Sequence, residues 1–178
     1  MKTVEINVYQ FDELSDKAKQ KAREWWVEGG LDYGWWYGTF DDANQIDCEI
    51  SAFDIDRASY CDLKCKYGFQ ETATKILQNH GESCDTYQLA KEFNEEYDNL
   101  VEKYGSYDAN QDSYIVDEEN EYDFDQEVDE LESEYEKMLG EEYLSILRKE
   151  YEWLTSEEQI DESIRINEYE FTEDGKIF

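Results

Sequence analysis

Apolar residues recur along this chain at two spacings, and each spacing predicts one kind of element. Stretches in which apolar and polar residues alternate predict strands, because successive side chains of a strand point to opposite faces. Stretches with apolar residues three or four apart predict helices, which glycine often ends. The predicted strands cover residues 3–9, 49–56, 59–67 and 163–171. The predicted helices cover residues 11–29, 35–46, 70–80 and 86–104, followed by two stretches of helical periodicity at 128–139 and 143–154. Gly140 lies between these two stretches and is a candidate kink or break.

The end of the chain carries a turn signal. Asp174-Gly175 stands at the centre of residues 173–176, which predicts a hairpin leading into Ile177 and Phe178. Predicted strands near both ends of the chain enclose predicted helices. We therefore expect an α+β fold with a mostly antiparallel sheet, formed as a single domain over residues 1–178.

Acidic residues change this picture for the last part of the chain. The chain has 48 Asp and Glu against 16 Lys and Arg, a formal net charge of −32, and residues 105–178 hold 26 of the acids and 5 of the bases. Residues 108–136 contain fourteen acids and no Lys or Arg. The 28 aromatic residues (5 Trp, 15 Tyr and 8 Phe) are too many for a disordered acidic tail. We therefore predict a folded acidic helical segment over residues 105–157.

On a helix, acids three or four residues apart share one face. With a rise of about 1.5 Å per residue they form a line of charges about 5–6 Å apart, a regular anionic row like the phosphates of DNA, which carries about one charge per 1.7 Å of duplex axis. Such a row predicts binding to several basic side chains of a partner; the alternative is a solvated face that keeps the protein soluble. The candidate partner-binding row is Asp117, Glu118, Glu121, Asp125, Asp129, Glu132 and Glu136. A neighbouring row would be Glu119, Asp123, Glu127, Glu130 and Glu134.

The charge disfavours some classes of partner, and the distribution of apolar residues bears on where the protein is found. A net charge of −32 disfavours unaided binding to DNA, RNA or anionic lipid and favours basic proteins, including those that bind nucleic acid. The first residues lack the apolar core of a signal peptide, and no apolar run approaches the length of a membrane span. We expect a cytoplasmic protein with reduced thiols.

Two groups of residues are candidate metal ligands. Residues 108–119 match calcium-loop positions 1, 3, 5 and 12, but Ser113 stands where that loop needs glycine. The set Cys61, Cys65, His80 and Cys84 has plausible zinc spacing, but an offset of four in a predicted strand separates the two cysteines by about 13 Å. Ordinary buried cysteines and no metal or cofactor are the expectation, and both metal sites stay open as alternatives.

Catalysis is not expected. His80 is the only histidine, it stands at a predicted helix end beside Gly81, and a cap is the favoured interpretation. We find no ordered nucleophile and base, and no glycine-rich phosphate loop. The adjacent aromatic residues at 25–26 and 35–37 cannot all face a core, because neighbours on a helix diverge by about 100°. Partly exposed core packing is the expectation for them, and an interface anchor is the alternative.

Three sequence blocks resemble a widespread family of small acidic proteins encoded by bacteriophages and other mobile elements. They are VYQFDELSDKAK at 8–19, FDIDR at 53–57 and NEYEFTEDGK at 167–176. The resemblance implies phage origin and a role in host takeover or in countering host defence, and it carries over no catalytic residue. Together with the charge it leads us to expect a non-enzymatic inhibitor, acting in the host cytoplasm by nucleic-acid mimicry on a basic protein of a restriction, CRISPR or similar complex. The alternatives are a structural or regulatory phage accessory protein, or a metal- or small-molecule-binding protein.

Overall fold

The structure is a computed structural model that describes residues 6–178 as an α+β fold, which confirms the predicted class. The described strands form three two-stranded antiparallel sheets, which pair Tyr9–Gln10 with Glu170–Phe171, Cys48–Asp54 with Tyr60–Cys65, and Gly105–Asp108 with Ser113–Val116. The helices are Asp16–Gly29 (α1), Tyr37–Gln45 (α2), Phe69–Asn79 (α3), Asp85–Tyr104 (α4), Glu121–Leu154 (α5) and Glu157–Ile166 (α6). The strands are Tyr9–Gln10 (β1), Cys48–Asp54 (β2), Tyr60–Cys65 (β3), Gly105–Asp108 (β4), Ser113–Val116 (β5) and Glu170–Phe171 (β6).

The described residues divide into two compact units. Unit 1 contains the described residues up to Trp36 together with Arg148–Phe178, and unit 2 is Tyr37–Leu147. The boundary falls inside α5, between Leu147 and Arg148. Each unit has its own cluster of buried apolar residues. The expectation of a single domain over residues 1–178 stays a prediction.

Unit 1 packs α1 and α6 around Phe11 and Phe171. Ser15 and Ser156 cap the two helices, each accepting a hydrogen bond on its hydroxyl oxygen from a backbone N–H three residues later. An ion pair joins the helices, since the guanidinium of Arg23 donates to both carboxylate oxygens of Asp161 at 2.6 and 2.8 Å. The buried cluster is Phe11, Leu14, Ala18, Ala22, Trp26, Ile160, Ile164 and Phe171.

The predicted strand over 163–171 is mostly wrong, because its first part lies in α6. Ile160 and Ile164 are four residues apart, so a helix buries both, whereas Ile166 is 71% exposed. Only Glu170–Phe171 is a strand. The predicted turn after it is confirmed: Gly175 has a φ of +82°, and a side chain there would also overlap the backbone of Ala18.

The predicted strand over 3–9 is only partly recovered. Tyr9–Gln10 pairs with β6, and residues 6–8 are exposed and outside any strand. Residues 3–5 of that prediction lie outside the described residues.

Unit 2 builds its core from β2, β3 and the helices around them. The predicted strands at 49–56 and 59–67 and the helices at 35–46, 70–80 and 86–104 are confirmed with shifts of a few residues at their ends. Cys48 and Cys65 occupy paired positions on β2 and β3 and form a disulfide. The expectation of reduced thiols is therefore wrong for these two, while Cys61 and Cys84 are free. The buried residues include Ile46, Ile50, Ile76, Phe93, Tyr135, Leu139 and Tyr143.

The acidic segment is not helical throughout, which corrects the prediction for 105–157. Gly105–Asp108 and Ser113–Val116 form a hairpin, and α5 begins only at Glu121. At the turn, the carboxylate of Asp108 accepts the backbone N–H of Asn110 at 2.8 Å, the local bond by which Asp favours turns over helices. Across the strands, Tyr107 packs edge-to-face on Tyr114.

Gly140 does not break α5, which runs continuously from Glu121 to Leu154. Its role is close packing: a Cβ at this position would lie 3.2 Å from the carbonyl oxygen of Cys61 on β3. The glycine therefore lets a strand of unit 2 approach the helix backbone.

Candidate acidic interface

The negative charge is concentrated on unit 2. The sequence of that unit holds 31 acidic and 7 basic residues, a net charge of −24, while the rest of the chain holds 17 and 9, a net charge of −8. Most of the field of the protein therefore comes from the unit that contains the hairpin and the acidic part of α5.

An aromatic seam fixes which face of α5 is buried. Phe93 of α4 stacks on Tyr135 of α5 with ring centroids 4.4 Å apart, and Tyr97 and Tyr104 pack edge-to-face on Phe124 at 5.9 and 6.3 Å. Since residue 93 meets 135 and residue 104 meets 124, the two helices run antiparallel. Burial of these rings holds α5 in one rotation about its own axis, so its acids have fixed directions.

The two acidic rows lie on opposite flanks of this buried stripe. At about 100° per residue, the first row falls roughly a quarter turn to one side of Phe124 and Tyr135, and the second falls a quarter turn to the other side. They are therefore not the adjacent rows that the sequence suggested. On α5 the first row is Glu121, Asp125, Asp129, Glu132 and Glu136, and the second is Asp123, Glu127, Glu130 and Glu134.

Asp117 and Glu118 do not continue the first row, because both precede the helix. Asp117 closes the hairpin instead: its N–H donates to the carbonyl oxygen of Tyr104 at 3.1 Å, and its carboxylate accepts from the hydroxyl of Ser106 at 2.9 Å. The row that the helix presents therefore extends from Glu121 to Glu136, about 22 Å along the axis.

Glu132 differs from the rest of its row. Glu121, Asp125, Asp129 and Glu136 are exposed, whereas Glu132 is half-buried. Burial, together with the neighbouring charge of Asp129, raises the pKa of Glu132 above its ordinary value. The ionised form of Glu132 therefore lowers the free energy of unfolding.

The second row is partly neutralised inside the protein. The ammonium of Lys103 lies 2.7 Å from both carboxylate oxygens of Glu127, and the hydroxyl of Tyr104 donates to the same carboxylate at 2.7 Å. Hydrogen bonds from Lys103 and then Tyr104 hold the pKa of Glu127 below its ordinary value. Glu127 thus ties α4 to α5 and is not a free charge of the surface.

Neither candidate metal set is assembled in the described residues. The calcium-like stretch 108–119 is a hairpin and the segment after it, with Asp108 bonded to Asn110 and Asp112 bonded to the hydroxyl of Tyr107. The zinc-like set loses Cys65 to the disulfide with Cys48, and burial raises the pKa of the Cys61 thiol to about 11. Within residues 6–178, no group of three or more His, Cys, Asp or Glu side chains is placed to hold a metal ion.

His80 has a wider role than the predicted cap. It does end α3, its N–H donating to the carbonyl oxygen of Ile76, but its buried ring also hydrogen-bonds through Nδ1 to the hydroxyl of Thr86 at 2.8 Å. Its Nε2 lies 3.7 Å from the carboxylate of Asp42, which accepts the hydroxyl hydrogen of Tyr143 at 2.8 Å. Asp42, His80, Thr86 and Tyr143 thus connect α2, the end of α3, α4 and α5, and Thr86 is only 4% exposed.

The two tryptophan pairs are buried to different degrees: Trp26 is buried, whereas Trp25, Trp35 and Trp36 are half-buried, and the second pair lies in a turn before α2. Trp25 packs against Tyr169 and Phe171. Trp35 and Trp36 pack edge-to-face with centroids 5.6 Å apart. These contacts account for the first pair as part of the core of unit 1.

None of the helices formed by residues 6–178 combines the length and apolar character needed to cross a membrane. Comparisons with protein-family models, curated proteins and solved structures gave no match to this chain.

Proposed function

We propose that this protein binds and inhibits a basic, nucleic-acid-handling host protein by occupying its nucleic-acid site. One observation carries the proposal: the first acidic row of α5 is a line of carboxylates on a rigid helix, and no basic side chain of residues 6–178 pairs with any of them. The resemblance to small acidic phage proteins suggests that the host is a bacterium. Restriction and CRISPR complexes are the proposed targets, and the host cytoplasm is the proposed place of action.

The spacing of the row suits a surface that reads phosphates. Carboxylates one helical turn apart are about 6 Å from each other, and several basic side chains of one groove can reach them together. Because the aromatic seam already fixes α5, little conformational entropy is lost when the row is bound. Facing charges would also accelerate encounter with a basic partner and make the affinity depend on salt.

Charge reversal tests the proposal. In the row variant, Glu121, Asp125, Asp129 and Glu132 are changed to Lys; in a matched control, the exposed acids Glu28, Glu152, Glu162 and Glu170 of unit 1 are changed to Lys. Both variants shift the net charge by the same amount. Each is used, with the wild type, to capture proteins from nuclease-treated bacterial lysate, followed by elution with a DNA duplex of about 30 base pairs.

We expect the wild type and the control to capture a nucleic-acid-binding protein that the duplex releases, and the row variant to capture at least about tenfold less of it. Thermal melts of all three establish that the fold is retained. Equal capture by the row variant, or capture that DNA cannot displace, would reject mimicry. The proposed action is stoichiometric and not catalytic, so inhibition of the captured protein should be complete near equal concentrations.

A further inference from the structure

A groove of about 190 Å³ lies between α4 and α5, on the flank of the second acidic row. Its apolar lining is Leu89, Phe93, Leu131, Tyr135 and Met138, and three acids, Glu92, Glu96 and Glu134, stand among them. The volume is below the roughly 300–1,000 Å³ of pockets that take small-molecule ligands. It suits one or two inserted side chains better than a cofactor.

The glutamates at this groove have no counterion among residues 6–178. The lysines nearest in sequence are paired elsewhere, Lys91 with Glu95 at 3.7 Å and Lys137 with Glu141 at 3.8 Å. Three uncompensated carboxylates beside an apolar floor would repel one another and attract a cation that also brings apolar surface.

We propose that this groove is the docking site for a basic amphipathic helix of the partner protein. The partner helix would insert one large apolar side chain between Phe93 and Met138, and its Lys or Arg residues would face the three glutamates. This inference rests on the proposed function, because it takes the partner to be basic, and it adds where and how a segment of that partner is held.

The geometry of the groove matches such a helix. Glu92 and Glu96 are one turn apart on α4, about 6 Å, which is also the spacing of two basic residues at i and i+4 on a helix. Glu134 faces them from α5. Met138 is 38% exposed, and its flexible thioether can adapt to the inserted side chain. Helix-in-groove binding uses this combination of apolar anchors and flanking charge.

A second copy of this chain is a poor occupant. Its unit 2 carries a net charge of −24, so two such surfaces repel each other. Nucleic acid and anionic lipid are disfavoured for the same reason. Charge complementarity leaves a cationic, amphipathic protein segment as the occupant that fits.

A synthetic peptide tests the groove without knowledge of the natural partner. The probe is a fluorescein-labelled amphipathic helix of about five turns, ~18 residues of Lys, Ala and Leu with one central Trp. Its control has the same composition in a scrambled order, which keeps the charge and removes the amphipathic face. Fluorescence anisotropy with the full chain gives both affinities. We expect the amphipathic peptide to bind at least about tenfold more tightly than the scrambled one.

Variants locate the binding. Met138→Gln should weaken the amphipathic peptide about tenfold, whereas Ile166→Gln, which changes an exposed apolar residue of unit 1, should have no effect. A triple change of Glu92, Glu96 and Glu134 to Gln should weaken it more than the triple change Asp125→Asn, Asp129→Asn and Glu136→Gln. The two triple variants remove the same number of charges. The difference between their peptide affinities therefore reports the contribution of the groove and not that of the overall negative charge.

Equal affinity for the two peptides, or equal effects of the two triple variants, would overturn the groove as a docking site. Dimerisation of the wild type that Met138→Gln abolishes would also overturn it, in favour of a second copy. None of these results bears on capture by the first acidic row, which the charge-reversal variant measures. Failure of the groove and failure of mimicry are therefore distinguishable.

Discussion

The carboxylates of α5 are alike in sequence but not in environment. Glu127 is held by Lys103 and Tyr104, Glu132 is half-buried beside Asp129, and Asp125 is exposed. A partner gains most from the exposed, unpaired ones, because a carboxylate that is already hydrogen-bonded must first lose its own partner. The acids that serve the fold and the acids available for binding are thus separate residues on one helix.

Glu132 gives a prediction at the scale of one residue. Because burial and Asp129 raise its pKa, the folded state tolerates its charge less well than the unfolded state does. Glu132→Gln should therefore raise stability at pH 7, by about 0.5 kcal/mol since solvent screens part of the effect. The gain should shrink as the pH falls through the raised pKa, where the wild-type carboxyl is itself neutral.

Urea unfolding over a range of pH values measures this effect, and the exposed Glu136→Gln is its control, since it removes one charge of the same row without burial. A Glu132→Gln gain no larger than that of Glu136→Gln would show that only the general repulsion had been relieved. A gain that grows on acidification would contradict the assigned sign.

Single-residue roles were partly predictable from the sequence. The i, i+3 and i+4 spacing of the acids on α5 is visible in the sequence, and so is the turn at Asp174-Gly175. Contacts between distant residues are not: nothing near His80 points to Asp42 or Tyr143, which lie 38 and 63 positions away. The sequence places Asp117 in the acidic row because its charge fits the row. Its bond to Ser106 depends on the hairpin over 105–116, which the charge pattern does not predict.

At the scale of elements, helical periodicity was a good guide, whereas alternation was a good guide for β2 and β3 and a poor one near the two ends of the chain. Helices α3 and α4 follow the predicted bounds to within one residue, because each has a long apolar stripe and a cap or glycine at its end. Helix α1 ends where predicted, at Gly29, but begins at Asp16 after the Ser15 cap and not at residue 11. The hairpin over 105–116 was missed because fourteen nearby acids suggested one helix, although Tyr114, Ile115 and Val116 favour a strand. The apolar pattern around Ile164 fits both the alternation of a strand and the spacing of a helix. The helix forms because it buries Ile160 and Ile164 against α1.

The disulfide between β2 and β3 gives a prediction at this scale. It joins Cys48 and Cys65, 17 positions apart, and so restricts the unfolded chain. By the chain-entropy estimate its reduction should lower the free energy of unfolding by about 3 kcal/mol. Urea unfolding with and without dithiothreitol measures the change.

The matched control is the double variant Cys48→Ala, Cys65→Ala. It should unfold at the same urea concentration in both conditions, even though Cys61 and Cys84 remain. If dithiothreitol leaves the unfolding of the wild-type protein unchanged, Cys48 and Cys65 do not form the disulfide in solution. A double variant that still responds would assign the effect to Cys61 or Cys84.

For the whole molecule, the distribution of charge matters more than its total. Unit 2 holds a net charge of −24 and keeps few internal ion pairs, such as Lys103 with Glu127, so most of its acids face only water and one another. Exposed pairs of this kind contribute little to stability. The buried apolar core of unit 2, which includes the aromatic seam between α4 and α5, opposes this repulsion.

Salt should therefore act on stability and on binding in opposite directions. Raising the monovalent salt from 0.01 M to 0.1 M shortens the screening length from about 30 Å to about 10 Å. The weaker repulsion within unit 2 should raise the melting temperature, while the weaker attraction should lower the affinity for a basic partner. Thermal melts and binding isotherms at the two NaCl concentrations measure both. Neutralising Asp125, Asp129 and Glu136 to their amides should reduce both responses, because the same carboxylates cause them. A melting temperature that falls with salt would mean that the acids are paired within the fold, and the free anionic surface on which the proposed function depends would not exist.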